Sequence, residues 1–166
     1  MISARMRTLG VALALMCPAA GLADSATATI AVSATVRRNC VITTAPLAFG
    51  MYDPIVANAT TPLDGTATVT IACTMGTPAT IGLDDGANAS ASQRRLTNGS
   101  NAYMDYQIYL DSGYATTWGN AVDNRLDAGV SPSKQPREFP VYARIPGAQD
   151  VPVGPFSDSV VATVNF

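Results

Sequence analysis

Histidine is absent from this 166-residue sequence, and glutamate, lysine and tryptophan occur once each, as Glu138, Lys134 and Trp118. Without histidine there can be no Ser-His-Asp or Cys-His catalytic set and no His-containing metal site. The single lysine lies in a polar stretch, a poor setting for the depressed pKa that a nucleophilic amine needs. Charged residues make up 13% of the chain, about half of the usual ~25%. Ten basic groups against 12 acidic ones give a net charge of −2. That leaves no basic surplus for a phosphate backbone, so no nucleic acid is expected as a partner. Long apolar runs are missing as well. Residues 9–16 (LGVALALM) fall well short of the roughly 20 needed to span a bilayer.

That short apolar run has another use. Arg5 and Arg7 precede it, Pro18 ends it, and Gly21 and Ala23 supply small residues before a cleavage point. The pattern reads as a secretory signal over residues 1–23. Its removal takes Cys17 and two basic groups with it and leaves Cys40 and Cys73. Two cysteines in an oxidising compartment imply one disulfide, Cys40–Cys73.

What remains is rich in Ala, Thr, Ser and Gly, and it reads as strands. Residues 66–74 (TATVTIACT) alternate, with Ala67, Val69, Ile71 and Cys73 on one face and mainly threonine on the other. Period-two alternation with β-branched residues marks a half-buried strand. Further strands are predicted at 40–44, 79–84, 104–110, 139–145 and 160–166. In 104–110 the inward set is Met104, Tyr106, Ile108 and Leu110; in 139–145 it is Phe139, Val141, Ala143 and Ile145. Turn residues separate the runs, as at 62–65 (PLDG) and Asn98-Gly99. Residues 119–137 are polar, hold two prolines and read as a surface loop. An antiparallel sandwich is the architecture such short strands suggest.

Two segments fit a self-contained domain poorly. Residues 26–36 (ATATIAVSATV) alternate with no Gly, Pro or charge, placing Ala28, Ile30, Val32, Ala34 and Val36 on one face. Val160, Ala162, Val164 and Phe166 alternate in the same way at the other end. An uncharged apolar edge strand invites pairing with another chain. The first segment is then either the first strand of its own sandwich or a strand given to another molecule, the donor-strand mode of β-addition. Alternation alone leaves both open.

Nothing in the sequence forms a catalytic set, a metal site or a cofactor site. Asp84, Asp85, Asp123 and Asp127 sit among Gly, Asn and Ser, where aspartate caps turns, and calcium-loop spacing with a closing Glu is missing. Arg94-Arg95 reads as charge on a strand edge. Asn58, Asn88 and Asn98 begin N-x-[ST] patterns that arise by chance in a Ser/Thr-rich chain. Tyr103, Tyr106, Tyr109, Tyr114 and Trp118 could form a carbohydrate-binding platform if exposed, although Tyr106 alternates with the core set.

From Cys40 onward the chain resembles the spore coat protein U domain family, which includes subunits of archaic chaperone–usher pili. The resemblance rests on an ordered set: 46–53 (PLAFGMYD), 66–74, 94–99 (RRLTNG), 106–109 (YQIY), 141–146 (VYARIP) and 160–166 (VVATVNF), with the cysteine pair. It implies an all-β, incomplete immunoglobulin-like sandwich that lacks its last strand. On this reading residues 24–38 are a donor-strand extension and 39–166 the pilin domain. Val160, Ala162, Val164 and Phe166 would line the acceptor groove and meet a periplasmic chaperone. An outer-membrane usher would then exchange the chaperone's strand for the extension of another subunit. The implied product is an adhesive filament at the cell surface, reached through the periplasm. A non-filamentous coat or matrix protein is the alternative.

Overall fold

The structure, a computed structural model, describes residues 21 and 24–166. The expected signal over residues 1–23 therefore lies, apart from Gly21, outside the described residues. The chain divides into two units, Met1–Thr35 and Val36–Phe166. In the first, residues 24–35 are exposed throughout and carry no β-ladder. Ile30 and Val32 are 84% and 89% exposed. Alternation supplies the two faces of a strand, but a ladder also needs backbone partners on a neighbouring strand.

The second unit holds eight strands: β1 (Cys40–Thr44), β2 (Leu63–Cys73), β3 (Pro78–Leu83), β4 (Arg94–Thr97), β5 (Tyr103–Tyr109), β6 (Leu126–Val130), β7 (Arg137–Ile145) and β8 (Ala162–Asn165). They form two antiparallel sheets, one of order β1-β2-β7-β5-β4 and one of order β6-β3-β8. The longest ladder joins β2 to β7, from Leu63 opposite Ile145 to Ile71 opposite Arg137. Its alternation decides its facing: Val69, Ile71, Val141, Ala143 and Ile145 are buried, and the threonines between them lie on the outer side. The other sheet centres on β3, where Ile81 is fully buried opposite Val164 of β8. Between the sheets lies Trp118, also fully buried, its Nε1–H donating to Ile81 O at 2.8 Å.

The disulfide joins Cys40 to Cys73, a directly opposed pair of the β1–β2 ladder. It closes a separation of 33 residues, which on the chain-entropy account stabilises the fold by about 3–4 kcal/mol. Because β1 is an edge strand, the bond also fastens one border of the sandwich.

Two predicted features need correction. The segment 119–137 is no mere surface loop: it contains β6, which pairs with β3 around a register shift, and it buries Ala128 and Ser131. Its pattern is broken by Gly129, which takes a positive φ of 64°. The second correction concerns Arg94. It sits on β4, which does lie at the border of its sheet, but its side chain points inward and the residue is only 1% exposed. Its guanidinium donates to the carbonyls of Leu83, Asp84 and Trp118 and to Gln107 Oε1. Those carbonyls end β3 and the loop before Gly119, where no strand can satisfy them. Burial pulls the Arg94 pKa below its ordinary value, yet an arginine starts high enough to stay charged.

Candidate functional site

β1 ends the five-stranded sheet and β8 ends the three-stranded one. The two run close together along one side of the sandwich without forming a ladder. Each therefore keeps a bare edge among the described residues. In an antiparallel strand, successive residues turn their N–H and C=O groups to opposite sides. Asp84 N donates to Val161 O at 3.1 Å, so Val161 and Thr163 face β3 while Ala162 and Val164 turn outward. On β1, Ala45 N donates to Thr68 O and Thr74 N to Asn39 O, both at 2.9 Å. Cys40, Ile42 and Thr44 are left with outward backbone groups. The free amides and carbonyls thus belong to residues such as Ile42, Ala162 and Val164, whose side chains pack toward the core. A strand entering here would find hydrogen-bonding edges and an apolar floor together.

The gap continues as a groove of about 1260 Å3. One wall is residues 44–55 and the other residues 150–162, while Val69, Met104, Tyr106, Val141 and Ile145 form part of the floor. Val160 and Ala162 are among the lining residues. Val164 is half-buried against the core beyond that lining, and Phe166 is 51% exposed and also outside it.

The two loop walls of the lining lie outside the predicted strands. Leu47 and Phe49 come from the stretch 46–53, and Val151 and Phe156 from 150–156 (DVPVGPF). The alternation of Leu47 with Phe49 was a usable signal. The second stretch offers none, since its prolines and glycine conceal any period. Phe49 lies across β2 because residue 65 is glycine: a Cβ there would come within 2.9 Å of the Phe49 ring. The ring then meets Tyr106 edge-on, with centroids 6.0 Å apart.

Three polar side chains of the lining, Tyr52, Tyr106 and Asp158, are bonded within the domain. Tyr106, 3% exposed, donates its hydroxyl to Asp158 Oδ2 at 2.7 Å. Asn88 donates from Nδ2 and from its backbone N to Asp158 Oδ1, at 2.8 and 3.1 Å. Burial, followed by the neighbouring Asp158 carboxylate, pushes the Tyr106 pKa well above its ordinary value. Residues 52–58 are tied to residues 146–149, the segment that leads into the second wall at Asp150. Tyr52 donates its hydroxyl to Pro146 O and accepts from Gln149 N, both at 3.0 Å. Ala148 N donates to Asn58 O at 2.9 Å.

The other predicted candidates fall elsewhere. Trp118 and Tyr106 are buried, which removes two of five rings from any exposed sugar platform. Tyr109 and Tyr114 meet edge-to-face on the outer side, with Arg144 3.6 Å over the Tyr114 ring and paired bidentately with Asp64. Asp84 and Asp127 accept bonds from the amides of Gly86 and Gly129, as turn residues do. Asn58 is 4% exposed, with its amide bonded to Asp53 N and Thr61 O. No group of three His, Cys, Asp or Glu among the described residues is placed to hold a metal ion.

A sandwich of two antiparallel sheets, open between two bare edge strands over an apolar floor, defines a strand-deficient immunoglobulin-like domain. The chain belongs to the spore coat protein U domain family, whose family model, Spore Coat Protein U domain, matches residues 26–163. It is 34% identical over 130 residues to Protein U of Myxococcus xanthus, covering 72% of this chain and 71% of that one. Among solved structures it is similar to a chain of the chaperone–tip adhesion subunit pre-assembly complex from archaic chaperone–usher Csu pili of Acinetobacter baumannii. The TM-score there is 0.57 at 23% identity, over 80% of this chain and 40% of that chain. The Hda pilus minor tip subunit of E. coli matches with a TM-score of 0.40 at 18% identity, over 75% of this chain and 79% of that one.

Proposed function

We propose that this chain is a structural, non-enzymatic subunit of an extracellular adhesive filament, polymerised by donor-strand complementation. The observation that carries this reading is the pair of bare edges, β1 and β8, together with the apolar groove that continues beyond them. Residues 24–38 act as the donor, with Ala28, Ile30, Val32, Ala34 and Val36 turned into the groove of another copy or a related subunit. Val160, Ala162, Val164 and Phe166 form the acceptor border, met first by a periplasmic chaperone and then, at an outer-membrane usher, by the donor. The route runs through the periplasm to the cell surface. No cofactor or metal takes part.

Two physical facts support the pairing. Residues 24–35 are exposed throughout and free of charge beyond Asp24, as suits a strand given to another molecule. Burying five such apolar side chains contributes on the order of 5–10 kcal/mol, and the ladder adds backbone hydrogen bonds on both sides. The similarity to Protein U favours a second reading, a coat or matrix protein assembled through the same groove without an ordered filament.

The test is a thermal melt of a chain beginning at Asn39, with and without a peptide spanning residues 26–37. A saturable rise in Tm is expected, because a ligand of the native state stabilises it. A folded chain whose Tm ignores the peptide would overturn the proposal. Electron microscopy of the secreted full chain then separates filament from coat.

A further inference from the structure

The donor face just proposed carries little information about where along the groove it should stop. Ala28, Ile30, Val32, Ala34 and Val36 are all small and apolar. A slip of one residue would turn the polar face inward and is forbidden, but a slip of two keeps every inward position apolar. Exchanging Ile30 for Val32 alters a site by a single methylene. Arg37 and Arg38 resist being drawn into an apolar groove, so they limit sliding in one direction only. A defined register needs a limit on the other side, and the acceptor has to provide it.

One end of the groove is built to do so. Tyr52 closes the walls by donating to Pro146 O and accepting from Gln149 N. Behind it, Gln149 is fastened to β5: its Oε1 accepts from Asp105 N at 2.7 Å and its Nε2 donates to Asp105 O at 2.9 Å. Gly147 presses against the Thr60 backbone so closely that a Cβ would come within 2.5 Å of it. Ala148 N completes the seam by donating to Asn58 O. A loop, a crossing segment and the inner strand β5 are thereby joined beside Tyr52 and Asp150 of the groove lining.

We propose that this Tyr52 clasp is the register stop of the acceptor groove. It halts the donated strand at one residue and so selects a single pairing among several that are two residues apart. Tyr52 is a positioning residue, acting through where the strand ends rather than through the apolar floor. The inference rests on the donor-strand reading above.

Disulfide trapping between full-length chains tests it. One chain carries Met51→Cys, an exposed position beside Tyr52; the other carries a cysteine at one donor position at a time through residues 26–36. In the parent one position is expected to dominate its neighbours two residues away by about tenfold, the discrimination two hydrogen bonds can supply. With Tyr52→Phe in the acceptor, which keeps the ring, cross-linking is expected to spread over positions two residues apart. Gln149→Ala, which unfastens the crossing segment from β5, is expected to spread it in the same direction, to a smaller extent. A parent already spread over several positions overturns the proposal. So does a single unchanged position in both variants, with or without a lower total yield, because then the register is set elsewhere and the donor-strand reading survives. No cross-link from any donor position in the parent overturns that reading itself.

Discussion

Residues 26–36 and residues 160–166 look alike in the sequence: both alternate small apolar and polar residues, and both lack charge. The structure treats them differently. β8 forms a ladder with β3, and its Val164 and Ala162 pack against the core. Residues 24–35 stand exposed with no ladder. Alternation therefore encodes the ability to be a strand and not the occupancy of a sheet. What differs is the partner: β3 presents Ile81 and Leu83 opposite Val164 and Ala162, and its last carbonyls are held in place by Arg94.

The largest effect should come from breaking that support. Arg94→Ala orphans the buried carbonyls of Leu83, Asp84 and Trp118 and is expected to cost about 3–5 kcal/mol. Chemical denaturation of the folded domain would measure it, and an unchanged midpoint would show that water takes over those bonds. Next comes the direct comparison of the two segments. Val164→Asp puts a charge against the core and should destabilise the domain by about 2–4 kcal/mol. Val32→Asp on the exposed segment should leave the melt unchanged and abolish assembly. Equal thermal losses from both substitutions would erase the distinction drawn here.

A smaller effect lies in pH. The Tyr106 pKa is raised in the folded state by burial and by Asp158. The protonated phenol is thus favoured by folding, and its contribution is complete below the ordinary tyrosine value of about 10. It is lost as pH climbs beyond that value, so stability should decline in strong alkali, with a shallower decline in Tyr106→Phe. Identical alkaline profiles would remove Tyr106 from the account. The smallest effect is expected from Ala34→Val, which adds apolar surface to the donor face worth about 1 kcal/mol or slightly more. It should slow strand exchange several-fold, read by competition with labelled peptide.

The strands legible in the sequence were those whose inner face is made of Val, Ile and Met, namely β2, β3, β5 and β7, with β1 and β8 close behind. β4 and β6 were hidden for physical reasons. Arg94 occupies an inward position by bonding carbonyls, and Gly129 with the bulge near Ala79 interrupts the period of β6 and its partner. Of the two groove walls, the alternation of the sequence singles out Val160 and Ala162, just before and at the start of β8. Phe49 depends on the absence of a side chain at Gly65. Val151 and Phe156 lie on irregular backbone, where spacing says nothing about facing.

The order β6-β3-β8 has a consequence for the time course of folding. Pro78–Leu83 must wait for Ala162–Asn165, some 80 residues further along the chain, before its second ladder can form. Contacts of such long sequence separation close late, because the loop entropy falls due before any pairing compensates it. Until then one border of β3 and the bare edge of β1 are open together in an apolar, weakly charged chain. Such an intermediate is prone to aggregate. A chain built this way gains from any companion that covers the groove side until β8 has joined β3.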